Sequence, residues 1–392
     1  MYNFNEIINR KNTYSLKYDG IQDRFGFSYD DLLPLWVADM DFKTPQPIRD
    51  ALKEKLDQGI LGYSGGYEDV YESVINWYKK RHDFNLDRSW LNFSGTLVNV
   101  LNRLVKTFTN EGDSIIVQPP VFPAFFDAIT NHNRVVVENP LVFKNGRYEM
   151  DLEDLKRKIN PQVKMIILCS PHNPVGRVWS KDELKAVTDI LLENNILIVS
   201  DEAHSELVLN GYKHHFISTI SPKVADNSIL CVTTHKTFNM AGLEISNLII
   251  PNKELKKAYE GSLLKDGINK PNLLGLTAVK AGFDHCEQWL DELLLYIENN
   301  LDFVHEYLKK YLPNIKLIKS EGTFLAWLDL TALGLPPKTM EKLLLEKGKL
   351  LVNQGYTFGT GGEGFIRINV ACPRSTLEEA MKRLYFAFKE EL

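Results

Sequence analysis

The sequence lacks the features that mark disulfide-rich, metal-binding and membrane proteins. It has four cysteines in 392 residues, and none has the paired spacing of a disulfide framework or a metal site. We therefore expect no metal, and we expect the four thiols to be buried. No apolar run approaches the roughly 20 residues that a membrane-spanning helix needs. The cysteines are Cys169, Cys231, Cys286 and Cys372.

Neither sign of charge is in large excess. Lysine plus arginine number 46 and aspartate plus glutamate 51, so the formal net charge is −5, and the two signs are interspersed. We expect no nucleic-acid partner and no membrane, because either would call for a concentrated basic face. Residues 1–17 are polar where a signal peptide would have an apolar centre, so a cytoplasmic protein is expected.

What the sequence does contain is an alternation of short apolar runs with amphipathic segments between residues 90 and 250. Several runs are continuous Val, Ile and Leu, which is typical of strands covered on both faces. Ser180 and Glu183 form a capping box that begins a helix between two such strands, and this βαβ unit predicts a parallel sheet. The candidate strands are Ser114–Gln118, Arg134–Glu138, Val163–Ser170, Ile196–Ser200, Ser228–Thr233 and Leu248–Ile250.

The flanking regions predict a second, smaller unit. Residues 287–311 read as one long helix, and a second capping box, Ser375 with Glu378, is predicted to begin the last helix. The expected fold class is therefore α/β. A large domain over residues 49–284 would contain a central, mostly parallel sheet, and residues 1–48 and 285–392 would form a smaller α+β domain.

Polar side chains follow the predicted strands at the edge where open α/β sheets bind ligands. Asn173, Asp201 and Lys236 each come just after a strand, and a loop of small residues that includes Gly95 and Thr96 opens a helix. A helix N-terminus favours a phosphate. An amine for a Schiff base, a carboxylate for a ring nitrogen, an amide for a ring oxygen and a phosphate cradle are together what pyridoxal 5′-phosphate requires.

Each of these residues alone has a simpler interpretation. An aspartate after a strand is more often a helix cap, a single lysine is more often a solvated charge, and a proline-rich turn around Asn173 is more often only a turn. The order of the residues along the chain, each at a strand end or a helix start, is what favours the cofactor hypothesis.

Longer motifs around these residues carry a resemblance that spans nearly the whole chain. The sequence resembles the fold type I pyridoxal-phosphate enzymes of the class I/II aminotransferase superfamily, and more closely the MalY/PatB family of cystathionine β-lyases. The motifs are residues 35–42, 62–64, 170–179, 236–243, 322–329 and 364–375.

The resemblance implies roles for the residues around the cofactor ring. Lys236 would form the Schiff base and, once released, remove the Cα proton of the substrate. Asp201 would pair with the pyridine nitrogen, and Asn173 would hydrogen-bond the 3′-oxygen. His204 lies where many members have a tyrosine near that oxygen. Phe122 stands where the family usually has a tyrosine that stacks on the ring.

Phosphate and substrate contacts follow from the same resemblance. Gly95 and Thr96 would bind the phosphate, with Thr233 or Thr234 as further candidates. The residue before the lysine is usually serine in this family and is His235 here. The substrate-binding groups would be the Arg367 side chain, which would bind the α-carboxylate, and the backbone around Ala38. Tyr63 would reach the cofactor phosphate of the neighbouring subunit in a homodimer with shared active sites.

The implied reaction is α,β-elimination from L-cystathionine or a related L-cysteine S-conjugate, with a thiol, pyruvate and ammonia as products. For a substrate of methionine metabolism the thiol would be homocysteine. Two alternatives stay open. An aminotransferase would use the same groups on the same fold, and a regulatory, protein-binding role would accompany the lyase activity.

Overall fold

The computed structural model describes residues 2–27, 31–268 and 270–391. The α-helices in these ranges are α1 (Ile21–Phe25), α2 (Gln46–Asp57), α3 (Glu68–His82), α4 (Leu97–Phe108), α5 (Ala124–Thr130), α6 (Leu152–Lys158), α7 (Lys181–Glu193), α8 (Pro222–Asp226), α9 (Thr234–Thr237), α10 (Lys253–Lys265), α11 (Leu273–His285), α12 (Glu287–Tyr311), α13 (Pro337–Glu346) and α14 (Arg374–Phe388).

The strands in the same ranges are β1 (Leu33–Pro34), β2 (Leu91–Ser94), β3 (Ser114–Val117), β4 (Val135–Glu138), β5 (Val142–Lys144), β6 (Arg147–Glu149), β7 (Val163–Cys169), β8 (Leu197–Asp201), β9 (Ser228–Val232), β10 (Ser246–Ile249), β11 (Lys316–Leu317), β12 (Leu325–Asp329), β13 (Leu350–Leu351), β14 (Asn353–Gln354) and β15 (Phe365–Asn369).

A seven-stranded sheet in the order β2-β10-β9-β8-β7-β3-β4 forms the centre of the molecule. Strands β4, β3, β7, β8 and β9 pair in parallel, and β10 runs antiparallel to both of its neighbours. Helical crossovers such as α7 make the parallel pairing possible, and the predicted capping box at Ser180 and Glu183 begins α7. The predicted α/β fold with a mostly parallel central sheet is confirmed.

A second sheet of four antiparallel strands, in the order β11-β12-β15-β14, packs with α12 and α14. The predicted long helix is α12, with the predicted bounds. The predicted capping box at Ser375 is wrong. Pro373 is the N-cap residue of α14, so the helix begins at Arg374 without a side-chain cap and Ser375 lies inside its first turn. The division at residues 48 and 284 stays a prediction.

Alternate residues of the central strands face two apolar layers. One layer lies against α4, α5 and α10, and the other continues into the four-stranded sheet. All four cysteines are buried and free, as expected. Within the described ranges, no helix is both long enough and apolar enough to cross a membrane.

A buried charge cluster anchors the N-terminal segment. Lys17 is fully buried, and its Nζ lies 2.6 Å from Asp41 Oδ2. Arg10 pairs with Asp39 at 2.6 Å and with the other oxygen of Asp41 at 2.7 Å. Two cations and two carboxylates therefore neutralise one another, which offsets much of the free-energy cost of burying them.

A second buried charge cluster joins the turn after β7 to the segment before β12. Arg177 Nε donates to Glu321 Oε2 at 2.8 Å, and Arg177 Nη2 donates to both oxygens of Glu183 at 2.9 and 3.0 Å. Glu321 Oε2 also accepts from the Val178 N–H at 2.9 Å. Arg177 Nη1 donates to the Tyr148 carbonyl, so two carboxylates and one carbonyl of the chain itself occupy this arginine.

Candidate active site

The ends of three neighbouring parallel strands bring the predicted chemistry together. Asp201 is the last residue of β8, Lys236 lies in α9 directly after β9, and Asn173 lies in the turn after β7. Because β7, β8 and β9 are adjacent and parallel, their carboxyl ends share one edge of the sheet. The prediction that these three residues share one edge follows from strand order alone.

The Lys236 amine lies under the N-terminal segment. Its Nζ donates to the Ala38 carbonyl at 2.6 Å, so the two residues predicted near substrate are in contact. Burial, helped by the nearby charge of Arg367, lowers the pKa of Lys236 to about 8. A substantial share of the amine is therefore unprotonated at mildly alkaline pH, which is the form that acts as nucleophile or base.

Asp201 is a buried carboxyl group with few polar partners. It accepts one hydrogen bond, from the Ala203 N–H to Oδ1 at 3.0 Å, and no cation of the described ranges lies within ion-pair distance of it. Burial raises the pKa of Asp201 to about 7. A carboxylate in this setting is stabilised by a cationic ligand group, such as a protonated pyridine nitrogen.

Arg367 of β15 is buried and has no carboxylate partner among the described residues. Its Nη1 donates to Asn173 Oδ1 at 2.9 Å, and its Nη2 donates to the Trp36 carbonyl at 3.0 Å and to Asn353 Oδ1 at 2.6 Å. Its Nε has no partner, and burial lowers the pKa of the guanidinium to about 9. The group fits a carboxylate brought by a ligand.

The contact between Arg367 and Asn173 orients the amide. Since Asn173 Oδ1 accepts from Arg367, its Nδ2 is the group left to donate to a ligand oxygen. The resemblance had proposed both residues, but not this contact, which joins positions 194 residues apart. Asn353 was not proposed at all, because it lies outside every motif that the sequence displays.

The segment over the lysine is held from two sides. Asn239, three residues after Lys236, accepts from the Met40 N–H and donates to the carbonyls of Met40 and Phe42. Asn369, two residues after Arg367, donates to the Val37 and Asp39 carbonyls. Sequence reasoning missed these asparagines as positioning residues, although both lie inside the motifs quoted above.

The predicted phosphate cradle is the start of α4. Gly95 precedes Thr96, which is the N-cap and accepts from the Asn99 N–H at 3.3 Å. The first turn of this helix has no acidic side chain. Free N–H groups and the helix dipole therefore favour an anion there.

The other phosphate candidates lie at the start of α9. Thr233 is its N-cap: the hydroxyl accepts from the His235 N–H at 3.1 Å and also contacts the Nδ1 atom of that ring. The Thr234 hydroxyl is buried and has no partner within the described ranges. Thr233 is thus already engaged by His235, while the Thr234 hydroxyl is free to bond a ligand.

His204 and Phe122 supply rings near the strand ends. His204 is buried with an unpartnered Nδ1, and its ring packs edge-on against Phe324 at 5.7 Å between centroids. Burial, reinforced by the charges of Lys236 and Arg367, holds the pKa of His204 well below its usual value, so the ring is neutral. Phe122 follows β3 and is partly buried.

Tyr63 is exposed, whereas the other predicted site residues are buried or partly buried. It lies between α2 and α3 and is fully exposed, together with the apolar side chains of Ile60 and Leu61. An exposed aromatic residue beside exposed aliphatic ones is typical of a surface that another protein covers.

The unpaired groups at this edge form a consistent set. A buried carboxyl without a cation, a buried guanidinium without an anion and a helix N-terminus lie around a lysine of lowered pKa. Pyridoxal 5′-phosphate with an amino-acid substrate would supply the cationic ring nitrogen, the carboxylate and the phosphate that these groups lack.

The fold and the site define a class of enzyme, and comparison with known proteins agrees. The chain belongs to the aminotransferase class I and II family, whose model matches residues 30–384. The predicted resemblance and the fold type I architecture are confirmed. Within the family, cystathionine beta-lyase PatB of Bacillus subtilis is 39% identical over 383 residues, which cover 97% of this chain and 98% of PatB.

Two solved structures are similar over almost the whole chain. A PLP-bound putative aminotransferase from Clostridium difficile is 42% identical with a TM-score of 0.96, covering 99% of this chain and 100% of that one. The PLP-bound C-S lyase from Staphylococcus hominis is 32% identical with a TM-score of 0.92, covering 99% of this chain and 98% of that one.

Proposed function

We propose that this protein is a pyridoxal 5′-phosphate-dependent carbon–sulfur β-lyase that acts on L-cystathionine or related L-cysteine S-conjugates. The observation that carries the proposal is the placement of Lys236 between an unpaired buried carboxyl group, Asp201, and an unpaired buried guanidinium, Arg367. The names of PatB and of the Staphylococcus hominis enzyme favour a lyase over other reactions of the family.

The cofactor, when bound, supplies an aldehyde for covalent attachment and an electron-poor ring that stabilises negative charge at Cα. Asp201 keeps the ring nitrogen protonated by pairing with it. Asn173 Nδ2 donates to the ring oxygen, because its Oδ1 is held by Arg367. The start of α4, at Gly95 and Thr96, would hold the phosphate, and Phe122 would supply an aromatic surface for the ring.

Two side chains of the site, Arg367 and Lys236, bind and deprotonate the substrate. The Arg367 guanidinium binds the α-carboxylate. This carboxylate gives the guanidinium an ion-pair partner and an acceptor for its unpartnered Nε. The Lys236 amine removes the Cα proton, and a thiolate then leaves from Cβ. The 2-aminoacrylate that is released hydrolyses to pyruvate and ammonia.

The first experiment measures pyruvate and free thiol from L-cystathionine, with pyridoxal 5′-phosphate supplied and no 2-oxo acid present. We expect both products to accumulate in equal amounts over many turnovers. An aminotransferase stops after one turnover without an acceptor. This alternative is tested because the similar Clostridium difficile protein is named a putative aminotransferase. Turnover that appears only after 2-oxoglutarate is added would replace the lyase proposal with that activity.

The proposal includes a cytoplasmic homodimer in which Tyr63 of one copy binds the cofactor phosphate of the other. The full exposure of Tyr63, beside the exposed side chains of Ile60 and Leu61, supports this arrangement. We also propose that residues 1–48 and 285–392 form a small domain that closes over bound substrate.

Subunit complementation tests the shared site. Lys236→Ala and Tyr63→Ala chains are each expected to be inactive or weakly active alone. In a hybrid dimer, one site combines the intact Lys236 of one copy with the intact Tyr63 of the other. Half of the dimers in an equal mixture are hybrids, so about a quarter of wild-type activity should return on co-refolding. Failure to regain activity would place Tyr63 in its own subunit's site or outside both.

A further inference from the structure

Three side chains form a row across the central sheet at the proposed position of the ring nitrogen. Cys169 of β7 is in register with Asp201 of β8, and Asp201 is in register with Cys231 of β9. Residues in register on neighbouring strands point to the same face of a sheet. The Asp201 carboxyl group therefore lies between two thiols, in the layer that also contains α4.

Both thiols are neutral, and they do not form a disulfide with each other. Burial, with a further contribution from the Asp201 charge, raises the pKa of Cys169 and of Cys231 well above the usual value. Their strands are two spacings of about 4.8 Å apart, which exceeds the Cα separation of roughly 7 Å that a disulfide tolerates.

Neither thiol solvates the carboxylate well. The Cys169 thiol donates instead to the Pro171 carbonyl, with the sulfur 3.4 Å from the oxygen, and Cys231 forms no hydrogen bond within the described ranges. Thiols are weak donors in any case. The other charged groups that act on Asp201 are Lys236 in α9 and Glu202 beside it.

We propose that Cys169 and Cys231 are positioning residues that withhold hydrogen bonds from Asp201, so that cofactor binding makes this carboxyl group release its proton. The inference rests on the proposed function, because it assumes that the ring binds at Asp201. In the cofactor-free chain the carboxyl O–H is intact at mildly acidic pH. When a ring with a protonated nitrogen binds, the O–H bond breaks, the proton passes to the buffer and the carboxylate pairs with the ring.

Calorimetry can count that proton. The probe is 4′-deoxypyridoxine 5′-phosphate, which has the ring and the phosphate but no aldehyde, so that Lys236 cannot attach to it. It is titrated into the full chain freed of cofactor, at pH 6, in buffers of different ionisation enthalpy. Burial raises the pKa of Asp201 to about 7, so at this pH the group should contribute about 0.9 of a released proton.

Replacement of one sulfur by oxygen is the decisive change. In Cys231→Ser, the hydroxyl donates to Asp201, favours the charged form and lowers its pKa, so the proton release at pH 6 should fall by at least about half of the Asp201 contribution. Cys231→Ala adds no donor and should release as many protons as the wild type. Cys286→Ser, a buried thiol far along the chain, is the matched control and should also be unchanged.

The outcomes separate this inference from the proposed function. If Cys231→Ser releases as many protons as the wild type, the proposed role of the two thiols is wrong, and the cofactor site is unaffected. The same holds if Cys231→Ser and Cys231→Ala change the proton release equally. If Cys231→Ser does not fold, Cys169→Ser tests the other side and should show a smaller decrease, since its hydroxyl also donates to Pro171. Failure of the probe to bind wild-type chain would overturn the proposed function and this inference with it.

Discussion

Two buried arginines in this molecule differ in whether the chain supplies a carboxylate partner. Arg177, behind the turn after β7, is bonded to the carboxylates of Glu183 and Glu321. Arg367 bonds to Asn173, which lies in that same turn. Its partners are only amide and carbonyl oxygens, and its Nε has no partner. Both are almost inaccessible to solvent, so burial alone does not distinguish them.

The same contrast separates two lysines, Lys17, which is fully buried, and Lys236, which is partly buried. Lys17 pairs with Asp41, whereas Lys236 donates to a backbone carbonyl. A cation that the chain neutralises itself contributes to the folded structure, and a cation left without an anion is available to a ligand. The missing partner, rather than the charge, is therefore what identifies the site.

The largest expected effect separates the two lysines. Lys236→Ala should reduce β-elimination at least about 10⁴-fold, because attachment and proton transfer are both lost. It should also abolish the visible absorbance of the bound cofactor, while the free energy of unfolding measured in urea changes little. Lys17→Ala is the matched control and should lower that free energy instead, because it removes one of the two cations that neutralise the buried Asp41. Normal turnover by Lys236→Ala would remove this residue from the mechanism.

The paired arginine should matter for stability. Arg177→Met is expected to lower the free energy of unfolding by about 3 kcal/mol, because the buried Glu321 would lose its closest cation and keep only Arg147, which is half exposed and lies 3.4 Å away. The same replacement at the unpaired position, Arg367→Met, should change that free energy by less than about 1 kcal/mol in the cofactor-free chain. Urea unfolding followed by circular dichroism compares them, and equal losses would contradict the distinction.

The unpaired arginine should matter for substrate. Arg367→Lys is expected to raise KM for L-cystathionine by about 10- to 100-fold, since a point charge does not reproduce the two-pronged bond to a carboxylate. Arg177→Lys should leave KM within about threefold of wild type, because its partners belong to the chain. Steady-state kinetics on the two variants provides the test, and an unchanged KM in Arg367→Lys would place the carboxylate elsewhere.

The smallest effect is a shift in pH dependence. Only the neutral Lys236 amine attaches to the cofactor, and its pKa is lowered to about 8, so the attachment rate should rise about tenfold per pH unit below pH 8 and level off above it. Since the Arg367 charge helps to lower that pKa, Arg367→Met should move the break to higher pH. Stopped-flow absorbance with cofactor-free protein measures both profiles, and a break that does not move would show that the two charges are uncoupled.

Sequence alone predicts the part of the site that follows from strand order. Asn173, Asp201 and Lys236 come at the ends of three parallel strands, so their shared edge follows once the sheet is recognised. The contact of Asn173 with Arg367 does not follow, because it links two sheets through a packing arrangement that no local pattern encodes. The role of Asn353 was missed for the same reason.

Capping and register mark the limits at the level of single elements. The capping box at Ser180 was predicted correctly, but that at Ser375 was not. The N-cap residue of α14 is Pro373, two residues before the predicted N-cap, Ser375. The row of Cys169, Asp201 and Cys231 depends on the register between neighbouring strands, which a single sequence does not specify.

The segment over Lys236 has a consequence for synthesis of the protein. Its carbonyls at Trp36 and Val37 are bonded by Arg367 and Asn369, which lie 331 and 332 residues further along the chain. A ribosome must therefore translate past Asn369 before the two sides of the pocket can meet. A nascent chain that stops before Arg367 would lack the groups that hold this segment over the lysine, so the colour of bound cofactor would mark only molecules synthesised past Asn369.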